Sequence, residues 1–545
     1  MRGADVLIRT LKTAGVRKIF ALSGNHIMSI FDAAIGSDID LIHVRHEAAA
    51  VHMADAFARL TGEVGVALVS GGQGHANAVG ALCTAVGSES PVILLSGHAG
   101  LNELGLGAFQ ELRQADMAEP VSKMSETAQS AATLGQDLAR AFRRARSGRP
   151  GPVHLSLPSD VLEGPVDEAD IDWPDTNSFA PQPMALSEQA AQSVLQEIAS
   201  AHRPLIVAPP SLCTPRGRKL IAYLQHAIGV PVVAMESPRG INDPSLGAFA
   251  EVLAQADLIV LIGKQLDYTL RFGRPPFINA QCRWIVIDPD EALIERVRKT
   301  QGTRVAFSAI ADAHSAINTL INAARKTGAA NTHERWLDTF IAAVNFRPAQ
   351  WRDAQMSNDA PAHPAELCRQ VQAVLQRSPD SVFVSDGGEF CQWAQAIVHT
   401  RDRIINGVAG AIGPSIPFAL AAKAARPNAL VVACLGDGTF GFHMAEFDTA
   451  VRYNLPFIAI VGNDSRWNAE YQLQARSYGE PRALGCTLAN QTCYNLVASA
   501  LGGHGEFVTK AADVPAALER SIASGKPACV NVVIESHAAP VVRRN

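Results

Sequence analysis

Residues 430–468 read LVVACLGDGTFGFHMAEFDTAVRYNLPFIAIVGNDSRWN. The apolar run Leu430–Leu435 has the length and composition of a parallel strand buried on both faces. Gly436-Asp437-Gly438 ends that run in a tight turn, with Thr439 behind it. Phe442, Ala445, Glu446, Thr449 and Tyr453 then recur at helical period, and Pro456–Val461 is a second apolar strand that runs into Asn463-Asp464. Two neighbouring strand ends thereby present Asp437 and the Asn463/Asp464 pair to one crevice, the place where open parallel sheets bind ligands.

The residue types suggest the chemistry. Short side chains bearing oxygen suit a hard cation such as magnesium. Glycines beside them let backbone N–H groups approach phosphate oxygens, helped by a helix N-terminus. The unit therefore reads as a metal-diphosphate clamp, although Gly-Asp-Gly alone reads as an ordinary strand-turn-helix with capping Asp and Asn.

The rest of the chain sets bounds on this reading. At 545 residues it is long enough for several buried cores, and 48% hydrophobic residues with a formal charge of −5 describe a mildly acidic globular protein. No basic stripe points to nucleic acid. No apolar stretch is long enough to span a bilayer, and the start MRGADVLIRTLKTAG has no apolar signal core, so a cytoplasmic protein off the membrane is expected. Nine scattered cysteines without a CxxC pair read as reduced thiols, mostly buried.

The alternation of strands and helices predicts an α/β chain of three doubly wound parallel-sheet domains, at 1–165, 187–330 and 363–538. An acidic, Pro-rich linker is expected at 167–183, a crossing segment at 328–362, and a short tail at 537–545 that is either disordered or covers a site. In the first domain, strand ends carry Ser23-Gly24-Asn25-His26, Arg45-His46-Glu47 and Gly71-Gly72-Gln73-Gly74-His75-Ala76-Asn77. Phe109-Gln110-Glu111 lies in a long loop, and Ser385-Asp386-Gly387-Gly388 ends a strand of the third domain. The first and third domains share a pattern that suits two units paired face to face.

These motifs, in this order, resemble thiamine diphosphate enzymes of the decarboxylase and acetolactate synthase-like group. RHEAAAVHMADAFAR followed by SGGQGHAN resembles the pyrimidine-binding domain of that family, and the 430–468 stretch resembles its diphosphate-binding signature. The resemblance implies thiamine diphosphate and Mg2+ as cofactors. Asp437, Asp464 and the carbonyl of Arg466 would hold the metal; the family has Asn where Asp464 stands, so Asn463 is an alternative ligand. Glu47, otherwise a helix N-terminal carboxylate, would bond the aminopyrimidine N1′, and Asn77, which matches the Asn of the family's SGPGATN-like turn, would also bind the cofactor. Gly387, Gly438 and Thr439 would line the diphosphate cleft. The Gly410 carbonyl would take the 4′-amino group, and Ile412 would wedge between the two rings.

The same resemblance places three residues near the reacting carbon. His26 matches a histidine of benzaldehyde lyase, Gln110 a glutamine of acetolactate synthases and benzaldehyde lyase, and Glu470 a catalytic glutamate of pyruvate decarboxylase. Read without the family, Glu470 is equally a solvated helix carboxylate. Leu473 replaces a tryptophan of acetolactate synthase, Ser159 replaces a tryptophan of benzaldehyde lyase, and Ala208-Pro209-Pro210-Ser211 lacks the Gly-rich start of FAD-holding middle domains. Gly263–Pro276 resembles 2-hydroxyacyl-CoA lyases and oxalyl-CoA decarboxylases, where Arg271 and Arg274 would meet a CoA phosphate; otherwise they are surface charges.

The implied function is a carbon–carbon lyase or carboligase. Its substrate would be a 2-hydroxy ketone or a 2-hydroxyacyl-CoA thioester, processed through an enamine on C2 of the cofactor. The alternatives are a 2-keto acid decarboxylase or acetolactate-forming enzyme and, in a different class, a non-catalytic scaffold or regulatory protein of the same fold. A homodimer or homotetramer is implied, because in the family one chain's pyrimidine domain faces another chain's diphosphate domain.

Overall fold

A computed structural model describes residues 1–327, 333–353 and 360–544. It contains three parallel sheets. The first holds β1 (Lys18–Ala21), β2 (Asp40–His43), β3 (Gly65–Val69), β4 (Val92–His98), β5 (Ser125–Thr127) and β6 (Val153–Pro158), in the order β2-β1-β3-β4-β6-β5. The second holds β7 (Pro204–Ala208), β8 (Val232–Ala234), β9 (Leu258–Ile262), β10 (Arg283–Asp288) and β11 (Val305–Ile310), in the order β11-β10-β9-β7-β8. The third holds β12 (Ser381–Ser385), β13 (Asp402–Ile405), β14 (Leu430–Gly436), β15 (Ile458–Asn463), β16 (His504–Val508) and β17 (Ala528–Val533), in the order β13-β12-β14-β15-β17-β16.

The first and third sheets have one and the same strand order. In each, the order reverses between the first and third strands, and the side chains singled out in the sequence follow the carboxyl ends of neighbouring strands: His26 after β1, Glu47 after β2, Asn77 after β3, Asp437 after β14 and Asp464 after β15. The central strands are buried end to end, β3 as GVALV and β15 as IAIVGN, as expected where helices cover both faces.

Small residues bring the first and third units together. Helix Glu47–Thr61 packs against helix Ser415–Ala425, and Ala49, Ala50, Ala54, Ala56, Ala419, Ala421 and Ala422 are all fully buried. With no side chain beyond Cβ, the two helices can approach closely, and one hydrophobic cluster runs from Phe20 and Val69 to Val384 and Phe418. Adding methylenes there would cost ~1–3 kcal/mol through overpacking. Arg59 clamps the same junction, pairing with Asp55 and donating to the Ile405 carbonyl at 2.8 Å.

Some local expectations are corrected. The single helix expected from Phe442 to Tyr453 is two short helices, Asp437–His443 and Glu446–Arg452, so the chain enters helix at the Asp of Gly-Asp-Gly itself. The 167–183 linker packs on the first domain: Ile171 and Phe179 lie in that domain's core, and Arg143 donates to the Ser178 carbonyl at 2.7 Å. The crossing segment includes helix Glu334–Val344, while 328–332 and 354–359 lie outside the described residues. The tail covers ground up to Arg544. Trp393 Nε1 donates to the Ala538 carbonyl at 2.9 Å, Asn468 Nδ2 to the His537 carbonyl at 2.9 Å, and Arg544 pairs with Glu251 at 2.6 Å.

Candidate active site

The predicted residues fall into two clusters. The first sits on the first sheet, where Glu47 opens helix Glu47–Thr61 and Asn77 lies in the first turns of helix Gln73–Gly87. Asn77 Nδ2 donates to Glu47 Oε2 at 3.1 Å. Gly74 runs so close that a Cβ there would sit 3.4 Å from Glu47 Oε1 and 3.5 Å from Ser70 Cβ. Ser70 in turn reaches His26, whose Nδ1 lies 3.3 Å from its Oγ. His26 is buried and stacks on Phe109, with ring centroids 6.1 Å apart. Burial lowers its pKa, partly offset by the Phe109 carbonyl, so the imidazole is neutral at neutral pH.

Gln110 joins this group through the backbone. It holds φ +55°, a left-handed conformation uncommon outside glycine, and its Cβ lies against Gly72, where any side chain would come within 2.7 Å. Two residues not singled out in the sequence hold that loop in place. The Glu111 carboxylate accepts N–H bonds from Gly105, Gly107 and Ala108 at 2.6, 3.1 and 3.0 Å. Gln114, buried, accepts from Gly72 N at 2.8 Å and donates to the Gly97 carbonyl at 3.1 Å.

The second cluster lies at the carboxyl ends of β12, β14 and β15. Gly387, Ile412, Asp437, Gly438, Thr439, Asp464, Arg466 and Glu470 line a single cleft. Thr439 Oγ1 donates to the Gly436 carbonyl at 2.9 Å, and Gly438 N donates to Asp437 Oδ1 at 2.8 Å. A Cβ on Gly438 would come within 2.8 Å of the Trp467 ring, so the indole lies directly on the turn. Glu470 is exposed, in the first turn of helix Asn468–Tyr478. Gly410 is not among the residues lining this cleft; it holds φ +70° and faces Pro238.

Asn463 and Asp464 are distinguished by what they touch. Asn463 is sealed in: Nδ2 donates to the Thr492 carbonyl and Asn531 Oδ1, both at 3.1 Å, and Oδ1 accepts from Ser465 N at 3.2 Å. That bond braces Ser465 at φ +57°, the bend that turns Asp464 and Arg466 along the cleft. Asp464 carries its carboxylate in the cleft itself.

Two buried acids brace the clusters. Asp386, fully buried, accepts from Gly387 N at 2.7 Å, Gly413 N at 2.9 Å and Ser415 N at 3.2 Å, tying the Ile412 loop to the end of β12. Glu446 accepts from Arg45 N and His46 N at 2.9 and 3.1 Å, fixing the start of the Glu47 helix from the third domain. A buried acid beside Gly-Gly was a readable cue for Asp386, whereas nothing near Glu446 in sequence marks its role.

The cleft suits a divalent cation. Asp437 is 3% exposed and its Oδ2 has no hydrogen-bond partner among the described residues, though the N–H groups of Ser465 and Arg466 lie near enough to act on its charge. Burial first, and Asp464 second, push the Asp437 carboxyl up to about 7; burial pushes Asp464 up to about 6. Two carboxylates sharing a desolvated crevice with an unfilled acceptor are the donor set of a hard metal.

Comparison with known proteins agrees with this geometry. Residues 1–117 match the family described as thiamine pyrophosphate enzyme, N-terminal TPP binding domain, and residues 386–532 match its C-terminal TPP binding domain. A probable acetolactate synthase of Mycobacterium bovis is 30% identical, covering 100% of this chain and 98% of its own. A 2-hydroxyacyl-CoA lyase 2 of Homo sapiens is 30% identical, covering 98% of this chain and 90% of its own. A 2-hydroxyacyl-CoA lyase of Oryza sativa subsp. japonica is 28% identical, covering 98% and 96%. The chain belongs to the thiamine pyrophosphate enzymes. It is a thiamine diphosphate-dependent enzyme of the carboligase and lyase group. Among the described residues no helix is long and apolar enough to cross a membrane, and all nine cysteines are free thiols.

Proposed function

We propose that this enzyme is a magnesium-dependent carbon–carbon lyase or carboligase acting on a 2-hydroxy ketone or a 2-hydroxyacyl-CoA thioester. When bound, thiamine diphosphate supplies the electron sink for breaking or making the bond next to the carbonyl. Asp437, Asp464 and the Arg466 carbonyl hold the metal, Glu47 with Asn77 holds the aminopyrimidine, and Gly387, Gly438, Thr439, Gly410 and Ile412 seat the remainder.

The observation that carries the choice of reaction is His26. Cleaving a 2-hydroxy compound requires a base for the hydroxyl proton, whereas loss of carbon dioxide from a 2-keto acid does not. A buried, neutral imidazole between Ser70 and Phe109 is such a base. Gln110, in its strained backbone position, orients the substrate carbonyl, and Glu470 exchanges protons from the other wall. The relatives named as 2-hydroxyacyl-CoA lyases favour a CoA thioester. Arg271 and Arg274, exposed and stacked on Phe277 and Phe272, are the candidate contacts to its phosphates. Acetolactate formation or 2-keto acid decarboxylation is the second reading, favoured by the relative named as an acetolactate synthase.

The enzyme acts as a homodimer or homotetramer in this reading. Among the described residues, the cleft around Asp437 is lined only by residues of the third domain, whereas Glu47, Asn77, His26 and Gln110 cluster on the first. Each chain thus offers two halves for a partner to complete.

The test is His26→Ala. Cleavage of the 2-hydroxy substrate should fall ~100-fold or more, the size of a general-base contribution, while any release of carbon dioxide from a 2-keto acid changes far less. Equal losses in both reactions would remove His26 from the hydroxyl and favour the second reading.

A further inference from the structure

The cleft that would take a diphosphate is acidic. Among the described residues, Asp437, Asp464, Glu470 and Glu389 line it against one guanidinium-bearing residue, Arg466, whose guanidinium lies over the Tyr471 ring at 4.3 Å. Arg239 pairs with Glu389 at 2.9 Å, which still leaves three carboxylates to one cation. Nearly buried, Asp437 has an Oδ2 with no hydrogen-bond partner among the described residues. The neighbouring carboxamide of Asn463, with its bonds to Thr492, Asn531 and Ser465, cannot turn into the cleft without breaking them. The second group offered to a cation is therefore charged, and a free diphosphate meets like charge where it must bind.

We propose that Asp464 makes this a cation site that fills before the cofactor. A divalent hard cation binds the cofactor-free chain on Asp437, Asp464 and the Arg466 carbonyl, and only then does the cleft attract the diphosphate. The proposal rests on reading the cleft as the thiamine diphosphate site. Charge count governs the affinity of such oxygen sites, so replacing one carboxylate by a carboxamide should act mainly on the cofactor-free state. Once a diphosphate supplies its own oxygens, the loss of one charge matters less.

The experiment uses the full chain stripped of cofactor. MnCl2 is titrated in and free Mn2+ is followed by electron paramagnetic resonance. Thiamine diphosphate is then added, and its binding is followed by quenching of tryptophan fluorescence, since Trp467 lies on Gly438. The expected result is one Mn2+ per chain without thiamine diphosphate. Asp464→Asn should weaken that binding by ~10-fold or more, yet still take up Mn2+ and thiamine diphosphate together. Asp464→Ser is measured alongside, with thermal melts of both variants, so that the conclusion does not depend on one variant's folding. If wild type binds Mn2+ only when thiamine diphosphate is present, or if folded Asp464→Asn binds Mn2+ as wild type does, the proposal is overturned. If Mn2+ binds but thiamine diphosphate never does, the assignment of the cleft itself is wrong, and the proposal falls with it.

Discussion

Gly413 N donates to both carboxylate oxygens of Asp386, at 2.9 and 3.2 Å, across 27 residues of chain. The bond joins the end of β12 to the loop carrying Ile412, and His443 Nδ1 meets the Gly413 carbonyl from the opposite side at 2.9 Å. The wall of the cleft is thus set by one buried acid, with burial raising its pKa and the backbone N–H groups pulling it back.

Replacing Asp386 by Ala leaves three N–H groups without their acceptor. Stability should drop by ~1–3 kcal/mol in urea unfolding, and the thiamine diphosphate concentration needed for half-saturation should rise. Unchanged half-saturation in a folded variant would show that the loop holds its place without this brace.

Gly438 is fixed by the ring above it. In Gly438→Ala the new methyl lies within 3.0 Å of three Trp467 ring atoms, so the indole must shift. Isothermal titration calorimetry should show cofactor affinity falling ~10-fold or more, equivalent to about 1.4 kcal/mol. Combining it with Trp467→Leu should recover part of the loss by removing the clash. A double variant no better than the single one would place the cost in the backbone and not in the ring.

Buried histidines predict the response to acid. Burial lowers His75 and His443 from 6.5 to about 4 in the folded protein. A folded-state pKa below the unfolded value means the unfolded chain takes the proton first. The stability these groups contribute is therefore intact above pH 6.5 and is lost as pH falls from about 6.5 towards 4, at up to ~1.4 kcal/mol per pH unit for each. Melting temperatures should decline through that window, and His75→Gln should flatten the decline. A melting temperature constant down to pH 4 would contradict this.

Glu47 is expected to act in turnover and not in folding. Glu47→Gln keeps the length that meets Asn77 but removes the carboxylate, and should cost ~100-fold or more in kcat with little change in melting temperature. Wild-type kcat in this variant would remove Glu47 from the cofactor's activation.

Much of this architecture was legible from the chain. Central strands such as Leu258–Ile262 stand out because burial on both faces demands an unbroken apolar run. The strands that the sequence did not reveal, Ser125–Thr127, Val305–Ile310, Asp402–Ile405 and His504–Val508, all lie at sheet edges. An edge strand has a neighbour on one side only, and SET or HGEFV carries too little apolar pattern to announce it. The site divides in the same way. Asp437, Asp464, Glu47 and Asn77 sit beyond strand ends in recognisable motifs; Asp437 and Asp464 line one cleft, and Glu47 meets Asn77 on the first sheet. The residues that hold them, Glu446, Glu111 and Gln114, act through contacts distant in the chain or through loop backbone, which no local spacing encodes. The sealing of Asn463 depends on Thr492 and Asn531, 29 and 68 residues on, so nothing local in the sequence shows that its carboxamide is tied up.

The most direct measurement is product formation by the purified enzyme, with and without thiamine diphosphate and Mg2+. A 2-hydroxyacyl-CoA, an acyloin and pyruvate are offered in parallel and the products read by mass spectrometry. The account predicts cofactor-dependent cleavage of the 2-hydroxy substrates, with an aldehyde as one product, and little carbon dioxide from pyruvate. Rapid conversion of pyruvate with no cleavage of either 2-hydroxy compound would contradict it.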